Sequence, residues 1–270
     1  MTNLFSVKDK VIVLTGGTGV LGVSMVHHFA EQGAKVVVLA RNEEKGKALQ
    51  EAVCANGGEA LFLSADVLDK ETLEQCYADI MAKYGRIDVL INGAGGNMPG
   101  ATIPPDKSIF DLEIDAFKKV VDLNLFGTIL PTMIFTKAMV EQKKGSIINI
   151  VSESAIRPLT RVAGYGSAKA AVVNFTRYLA CELAGKYGEG LRVNSVAPGF
   201  FLTEQNRTLL TNPDGSLTER AKTIVAHTPF RRFGEPEELL GTMQWLASDA
   251  SKFVTGTLTV VDGGFDAFSI

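Results

Sequence analysis

Short β-branched runs alternate with longer helical patterns along this whole chain, and that alternation leaves few folds open. Buried strands are expected at 11–15, 35–39, 60–63, 89–92, 146–151, 192–197 and 258–261. Helical patterns lie between them at 20–32, 43–56, 70–84, 115–143, 165–187 and 236–248. Right-handed crossovers wind such a series into one seven-stranded parallel sheet with helices on both faces, a doubly wound α/β architecture. No composition break, repeat or low-complexity segment interrupts the 270 residues, so residues 1–270 read as a single domain.

Charge and cysteine content narrow the partners. With 27 basic against 30 acidic residues there is no electrostatic footprint for nucleic acid or an anionic membrane. Cys54, Cys76 and Cys181 are widely spaced, with no CxxC pair, and His27, His28 and His227 lack ligand spacing, so neither disulfide nor metal is expected. The opening MTNLFSVKDK is too short and polar for a secretory signal, and apolar runs fall short of the ~18 residues of a membrane span. A cytoplasmic protein is the expectation.

Two stretches depart from the alternation. Residues 97–111 carry three prolines and read as a loop after the fourth strand. Residues 199–234 are long and polar and contain the turn signal Asn212-Pro213-Asp214-Gly215. Loops at the carboxyl ends of parallel strands are where open α/β sheets bind ligands, so 199–234 reads as a substrate lid.

Directly after the first strand comes Thr15-Gly16-Gly17-Thr18-Gly19-Val20-Leu21-Gly22, in which Gly17, Gly19 and Gly22 form GxGxxG. Glycines there let the backbone approach a pyrophosphate, whose charge rests on free N–H groups at the helix start. A Rossmann-like dinucleotide site follows. The second strand ends in Ala40-Arg41-Asn42, without the acid that binds the ribose 2′-hydroxyl of NAD(H). Arg41 suits a 2′-phosphate, which favours NADP(H); a solvated Arg41 would leave NAD(H) equally open.

Tyr165-Gly166-Ser167-Ala168-Lys169 places a phenol and an ammonium on one helix face. A tyrosine near its reference pKa of ~10 is a poor base at neutral pH, and a nearby cation favours phenolate. Ser152 stands thirteen residues upstream at the end of a strand.

These pieces together resemble the short-chain dehydrogenase/reductase family over essentially the whole chain. The matching positions are the glycine turn, Asp66-Val67, Asn92-Gly93-Ala94-Gly95, Asn124, Ser152, Tyr165, Lys169, Pro198-Gly199 and Val261-Asp262-Gly263-Gly264. The resemblance implies Tyr165 as acid/base and Ser152 as hydrogen-bond partner of the reacting oxygen. It implies Lys169 as a ribose clamp that also lowers the tyrosine pKa, and Asn124 as support for a water-linked proton relay. Asp66 would approach the adenine, Asn92 to Gly95 would flank the nucleotide, and the assembly would be a homotetramer built on 115–143 and 165–187. Phe126, Ile129 and Met133 fit such an interface or the domain core.

Within the family, Gly199 to Arg207, Asn212 to Arg220, His227-Thr228-Pro229, Asn92 to Asn97 and Arg157 to Arg161 resemble the D-mannonate oxidoreductase (fructuronate reductase) branch. That implies hydride transfer between the nicotinamide and the C5 carbonyl of D-fructuronate, giving D-mannonate. Val20, Gly93, Met98, Glu153 and Ser154 depart from the common patterns. An aldonate brings a carboxylate and hydroxyls; Arg157 is on the right loop for the first, with Arg161 a weaker choice, and Asn97 and Gln205 suit the second. The alternatives are a reductase of another carbonyl (a gluconate-type keto-acid or a 3-oxoacyl thioester) and a non-catalytic dinucleotide-binding regulator.

Overall fold

Seven strands, β1 (Val11–Thr15), β2 (Lys35–Ala40), β3 (Glu59–Ser64), β4 (Val89–Asn92), β5 (Gly145–Ile150), β6 (Leu191–Pro198) and β7 (Leu258–Val261), form one sheet in the order β3-β2-β1-β4-β5-β6-β7. Every neighbouring pair is parallel, with Val13 opposite Val37 on one side and Leu90 on the other. The computed structural model describes residues 3–202 and 210–269. The chain travels outward from β1 to β3 and then returns to add β4 on the other side of β1. Connections therefore leave β1 and β4 in opposite directions and open a crevice at their carboxyl ends.

Helices cover both faces. On one side Ile12, Leu14, Val36 and Val38 pack with α1 (Val20–Glu31), α2 (Glu43–Ala55) and α8 (Leu240–Ala247), through Phe29, Val53 and Met243 among others. On the other, Val11, Val13, Val37 and Leu39 meet α3 (Lys70–Tyr84), α5 (Gly127–Gln142) and α6 (Ala163–Tyr187), through Ile80, Phe135 and Leu183. Successive strand residues point to opposite faces, so a sheet covered twice needs apolar residues at consecutive positions. Local chemistry marks the helix ends. Asp69 caps α3 by accepting from Glu71 N at 3.0 Å and Thr72 N at 3.2 Å, and Gly85 ends it at φ 67°.

The structure differs from the sequence-based expectation in three places. The helix expected at 115–143 is interrupted: α4 (Ile114–Val121) passes through a π turn (Asp122–Phe126) into α5. Asn124 lies in that turn, and its Nδ2 donates to the Val120 carbonyl at 2.8 Å, competing with regular backbone pairing. The whole Ile114–Gln142 stretch, 29 residues, is long and apolar enough to cross a membrane, and 56% of its most apolar window is buried within this fold.

The loop at 97–111 contains two short 3₁₀ turns, Pro99–Ala101 and Ile109–Asp111. The polar stretch 199–234 contains a helix, α7 (Glu219–His227), and its own apolar cluster of Leu210, Ala221 and Ile224 against Phe200 and Phe233. Residues 203–209, including the expected substrate residue Gln205, lie outside the described residues.

Candidate active site

At the crevice, β1 delivers Thr15 into the glycine turn. Gly16 adopts φ +70°, and a Cβ there would sit 2.8 Å from the Ala94 backbone. A Cβ on Gly22 would sit 2.5 Å from Gly16 O, so the turn closes onto the helix only with glycine. α1 begins after Gly19 with no side-chain cap, whereas Asn42 and Asp69 cap α2 and α3. Its first N–H groups are left without a side-chain partner beside Gly19, Val20 and Leu21, which line the crevice, and that is what a pyrophosphate requires. The residues present therefore fit a dinucleotide.

The wall opposite is welded to this turn. Thr15 Oγ1 accepts from Gly93 N at 3.1 Å and Ala94 N at 3.2 Å, a clamp not singled out in the sequence although Thr15 lies within the motif. Asn92 is buried: its Nδ2 donates to Thr132 Oγ1 at 2.9 Å and Asn149 Oδ1 at 2.8 Å, so its side chain braces β4 from within the sheet layer. Asn124 grips the next segment, donating to Gly96 O at 2.7 Å and accepting from Gly96 N at 3.1 Å. A Cβ on Gly95 would fall 2.6 Å from Asn124 Oδ1 and 3.1 Å from Lys169 Nζ. The absence of a side chain there lets these two groups approach the cleft.

Ser152, Tyr165 and Lys169 line one cleft of about 360 Å³ with the glycine turn, Gly95 and Gly199. Ser152 lies two residues beyond β5 and caps a 3₁₀ turn, its Oγ accepting from Ser154 N at 3.2 Å. Burial pushes the Tyr165 phenol above its ordinary pKa, while its hydrogen bond with Ser152 pulls the other way. Lys169 Nζ donates to Ile150 O at 2.8 Å and stands 5.7 Å from the Tyr165 ring centre. Burial brings Lys169 down to about 8. Withdrawal from water is thus the larger influence on the Tyr165 phenol in this arrangement, and Lys169 stands beside it.

The remaining candidates divide. Arg41 lies 3.9 Å from Asp66 and is 73% exposed at the carboxyl end of β2, while Asp66 Oδ1 accepts from Leu68 N at 3.0 Å. Val67 is buried. Pro198 and Gly199 close the cleft beside Phe200, with Gly199 N bonded to Val261 O at 2.8 Å. Asn97 is exposed on the loop after β4, its Nδ2 donating to Thr102 Oγ1 at 3.0 Å. Arg157 is committed elsewhere: its Nε donates to Asp266 Oδ1 at 2.9 Å, and its other nitrogens bond the Asp266 and Phe268 carbonyls. The fork expected for a substrate carboxylate ties the catalytic loop to the carboxyl-terminal segment instead.

Glu153, next to Ser152, is 1% exposed, and neither carboxyl oxygen has a hydrogen-bond partner among the described residues. Burial, reinforced by Asp262 and Asp266, pushes it up to about 8 against the pull of Arg157. It is a neutral acid at neutral pH. Sequence gives no sign of this, since burial of a loop glutamate depends on how the terminal segment folds back. A further cavity, about 880 Å³, lies at the opposite end of the sheet, among Lys10, Lys144, Arg192 and Asp249.

Comparison with known proteins places this geometry. A family model described as enoyl-(acyl carrier protein) reductase matches residues 19–266. The chain is 45% identical over 269 residues to "Uncharacterized oxidoreductase UxuB" of Bacillus subtilis (strain 168), covering 96% of each. A crystal structure of a "putative D-Mannonate oxidoreductase" from Haemophilus influenza with bound NAD superposes with a TM-score of 0.92 at 37% identity, covering 99% of each chain. A gluconate 5-dehydrogenase from Burkholderia cenocepacia in complex with NADP and tartrate gives 0.86 at 30% identity, covering 98% of each. With the uncapped glycine turn and the cleft of Ser152, Tyr165 and Lys169, these likenesses make the chain a member of the short-chain dehydrogenase/reductase family, an oxidoreductase that uses a nicotinamide dinucleotide.

Proposed function

We propose that this oxidoreductase interconverts D-fructuronate and D-mannonate. The likeness over 99% of the chain to the Haemophilus protein carries that choice of substrate. The likeness to a gluconate 5-dehydrogenase, named for another sugar acid, supports that substrate class as well.

The cofactor's diphosphate would rest on the start of α1, its nicotinamide ribose near Lys169, and its adenine end near Asp66 and Arg41. When bound, the nicotinamide supplies hydride in reduction and takes it in oxidation. Ser152 orients the substrate carbonyl by donating to its oxygen. Tyr165, held protonated by burial, gives its proton to that oxygen as negative charge develops. The ammonium of Lys169 stabilises the phenolate left behind, and oxidation reverses each proton movement. Arg41 favours NADP(H), although its carboxylate neighbour Asp66 competes with a 2′-phosphate. Residues 199–234 serve as a lid whose Phe200 borders the cleft.

Phe126, Met133 and Tyr178 are 51%, 65% and 61% exposed on the helices flanking the sheet, which supports self-association as a cytoplasmic homotetramer.

The reading is tested by comparing kcat/KM for D-fructuronate, 5-keto-D-gluconate and an acetoacetyl thioester with NADH and NADPH. D-fructuronate should be preferred by at least about tenfold. Preference for the thioester would favour the acyl-carrier chemistry that the family description names, and no turnover of any carbonyl would leave a dinucleotide-binding regulator.

A further inference from the structure

Across the Phe200 ring, which borders both, the catalytic cleft adjoins a second hollow of about 480 Å³. Arg161 enters it from the loop between Ser152 and α6, and Arg220 from the first turn of α7. Both are half-buried. Burial, and after it the charge of Arg161, pulls Arg220 below its ordinary value, so the two guanidiniums act on each other across the hollow.

Among the described residues the neighbouring carboxylates are engaged elsewhere. Glu219 accepts from Lys222 at 2.7 Å, and Asp266 from Arg157 at 2.9 Å. Among the described residues neither Arg161 nor Arg220 makes an ion pair. Arg161 also holds φ 77°, in the left-handed region that residues other than glycine rarely adopt. Its carbonyl accepts from Ile103 N at 3.0 Å, which pins that backbone in place. Such strain persists where surrounding structure fixes a residue for a purpose.

Two like charges in a half-buried hollow call for an anion. We propose that Arg161 and Arg220 jointly bind the carboxylate of the sugar-acid substrate, the role that Arg157 does not fill. The proposal rests on the sugar-acid reading of the cleft. In D-fructuronate the reacting C5 and the carboxylate carbon are four bonds apart, so an acid whose carbonyl meets Ser152 and Tyr165 must send its carboxylate into adjoining space. A planar fork from each arginine suits a carboxylate, and Thr160 and Thr223 of the same hollow suit hydroxyls.

The experiment compares wild type with Arg161→Gln, Arg220→Gln, the double variant and Arg161→Lys. It measures KM for D-fructuronate, and the affinity of the cofactor-loaded enzyme for D-mannonate and for uncharged D-mannitol. Each Gln variant should weaken D-mannonate and raise KM by about ten- to a hundredfold. The double variant should fall short of the product of the singles, because both groups hold one ligand. Arg161→Lys should lie between, and affinity for D-mannitol and for NAD(P)H should not move. Unchanged D-mannonate affinity in the double variant, or equal loss for D-mannitol, overturns the proposal. If wild type leaves D-fructuronate unreduced yet binds sugar acids in an arginine-dependent way, the substrate reading fails and the carboxylate site stands. If D-fructuronate is reduced equally by all forms, the reading stands and the site falls.

Discussion

Lys169 Nζ lies 5.7 Å from the centre of the Tyr165 ring while donating to the Ile150 carbonyl at 2.8 Å. The ammonium is thus anchored to β5 and faces the phenol without bonding it. This arrangement keeps Tyr165 a proton donor until charge develops on it, when the cation is already in position.

Removing the phenolic oxygen isolates that contribution. Tyr165→Phe should lower kcat/KM by about 10²–10⁴-fold, with NAD(P)H affinity kept within a few-fold. Steady-state kinetics beside cofactor titration checks it, and native turnover in the variant would remove Tyr165 from the chemistry.

Glu153 should make stability fall as pH rises. Its folded value of about 8 lies above the ordinary 4.5, so the native state keeps a proton that the unfolded chain releases. The associated stability is full below about pH 4.5 and is lost as pH rises through about 8, with a slope up to about 1.4 kcal/mol per pH unit. Urea melts across that window should show the slope in wild type and its loss in Glu153→Gln.

For Arg157 the expectation is structural. Its ion pair with Asp266 is partly exposed, 41% and 32%, so Arg157→Ala should cost about 1 kcal/mol in chemical denaturation. The KM for the sugar acid should stay near wild type, in contrast to the Arg161 and Arg220 variants.

At the adenine end, Arg41→Glu should shift preference from NADPH towards NADH by about tenfold or more, since it places an acid where the ribose 2′-hydroxyl lies. Ratios of kcat/KM for the two cofactors decide this, and equal loss with both would mean that Arg41 does not meet the 2′ position.

Most of the architecture was legible because burial on both faces leaves a strong mark. β1, β2 and β4 are apolar for nearly their full length, and glycine turns punctuate them. The glycine motif, Ser152 and the Tyr165–Lys169 pair were likewise readable, since each lies at a strand end or within one helical turn. Features set by distant parts of the chain were not. The π turn at Asn124 leaves no periodic signal, because one extra residue does not disturb an otherwise apolar helix. α7 was hidden in a polar stretch, as only Ala221 and Ile224 of its residues are buried. Arg157 and Arg161 sit on the same loop, and only the path of the terminal segment, with Asp266 beside Arg157, separates a structural cation from a free one.

The π turn carries an engineering consequence. A π turn takes up one residue more than the α-helix on either side of it, so deleting one residue from Asp122–Phe126 would let the helix run on without the bulge. Phe135 and Met139 would stay on the sheet, while Asn124 would lose the turn from which it holds Gly96. The extra residue between Val121 and Gly127 therefore serves the cleft and not the scaffold, and libraries of single deletions across that segment should return folded proteins that have lost turnover.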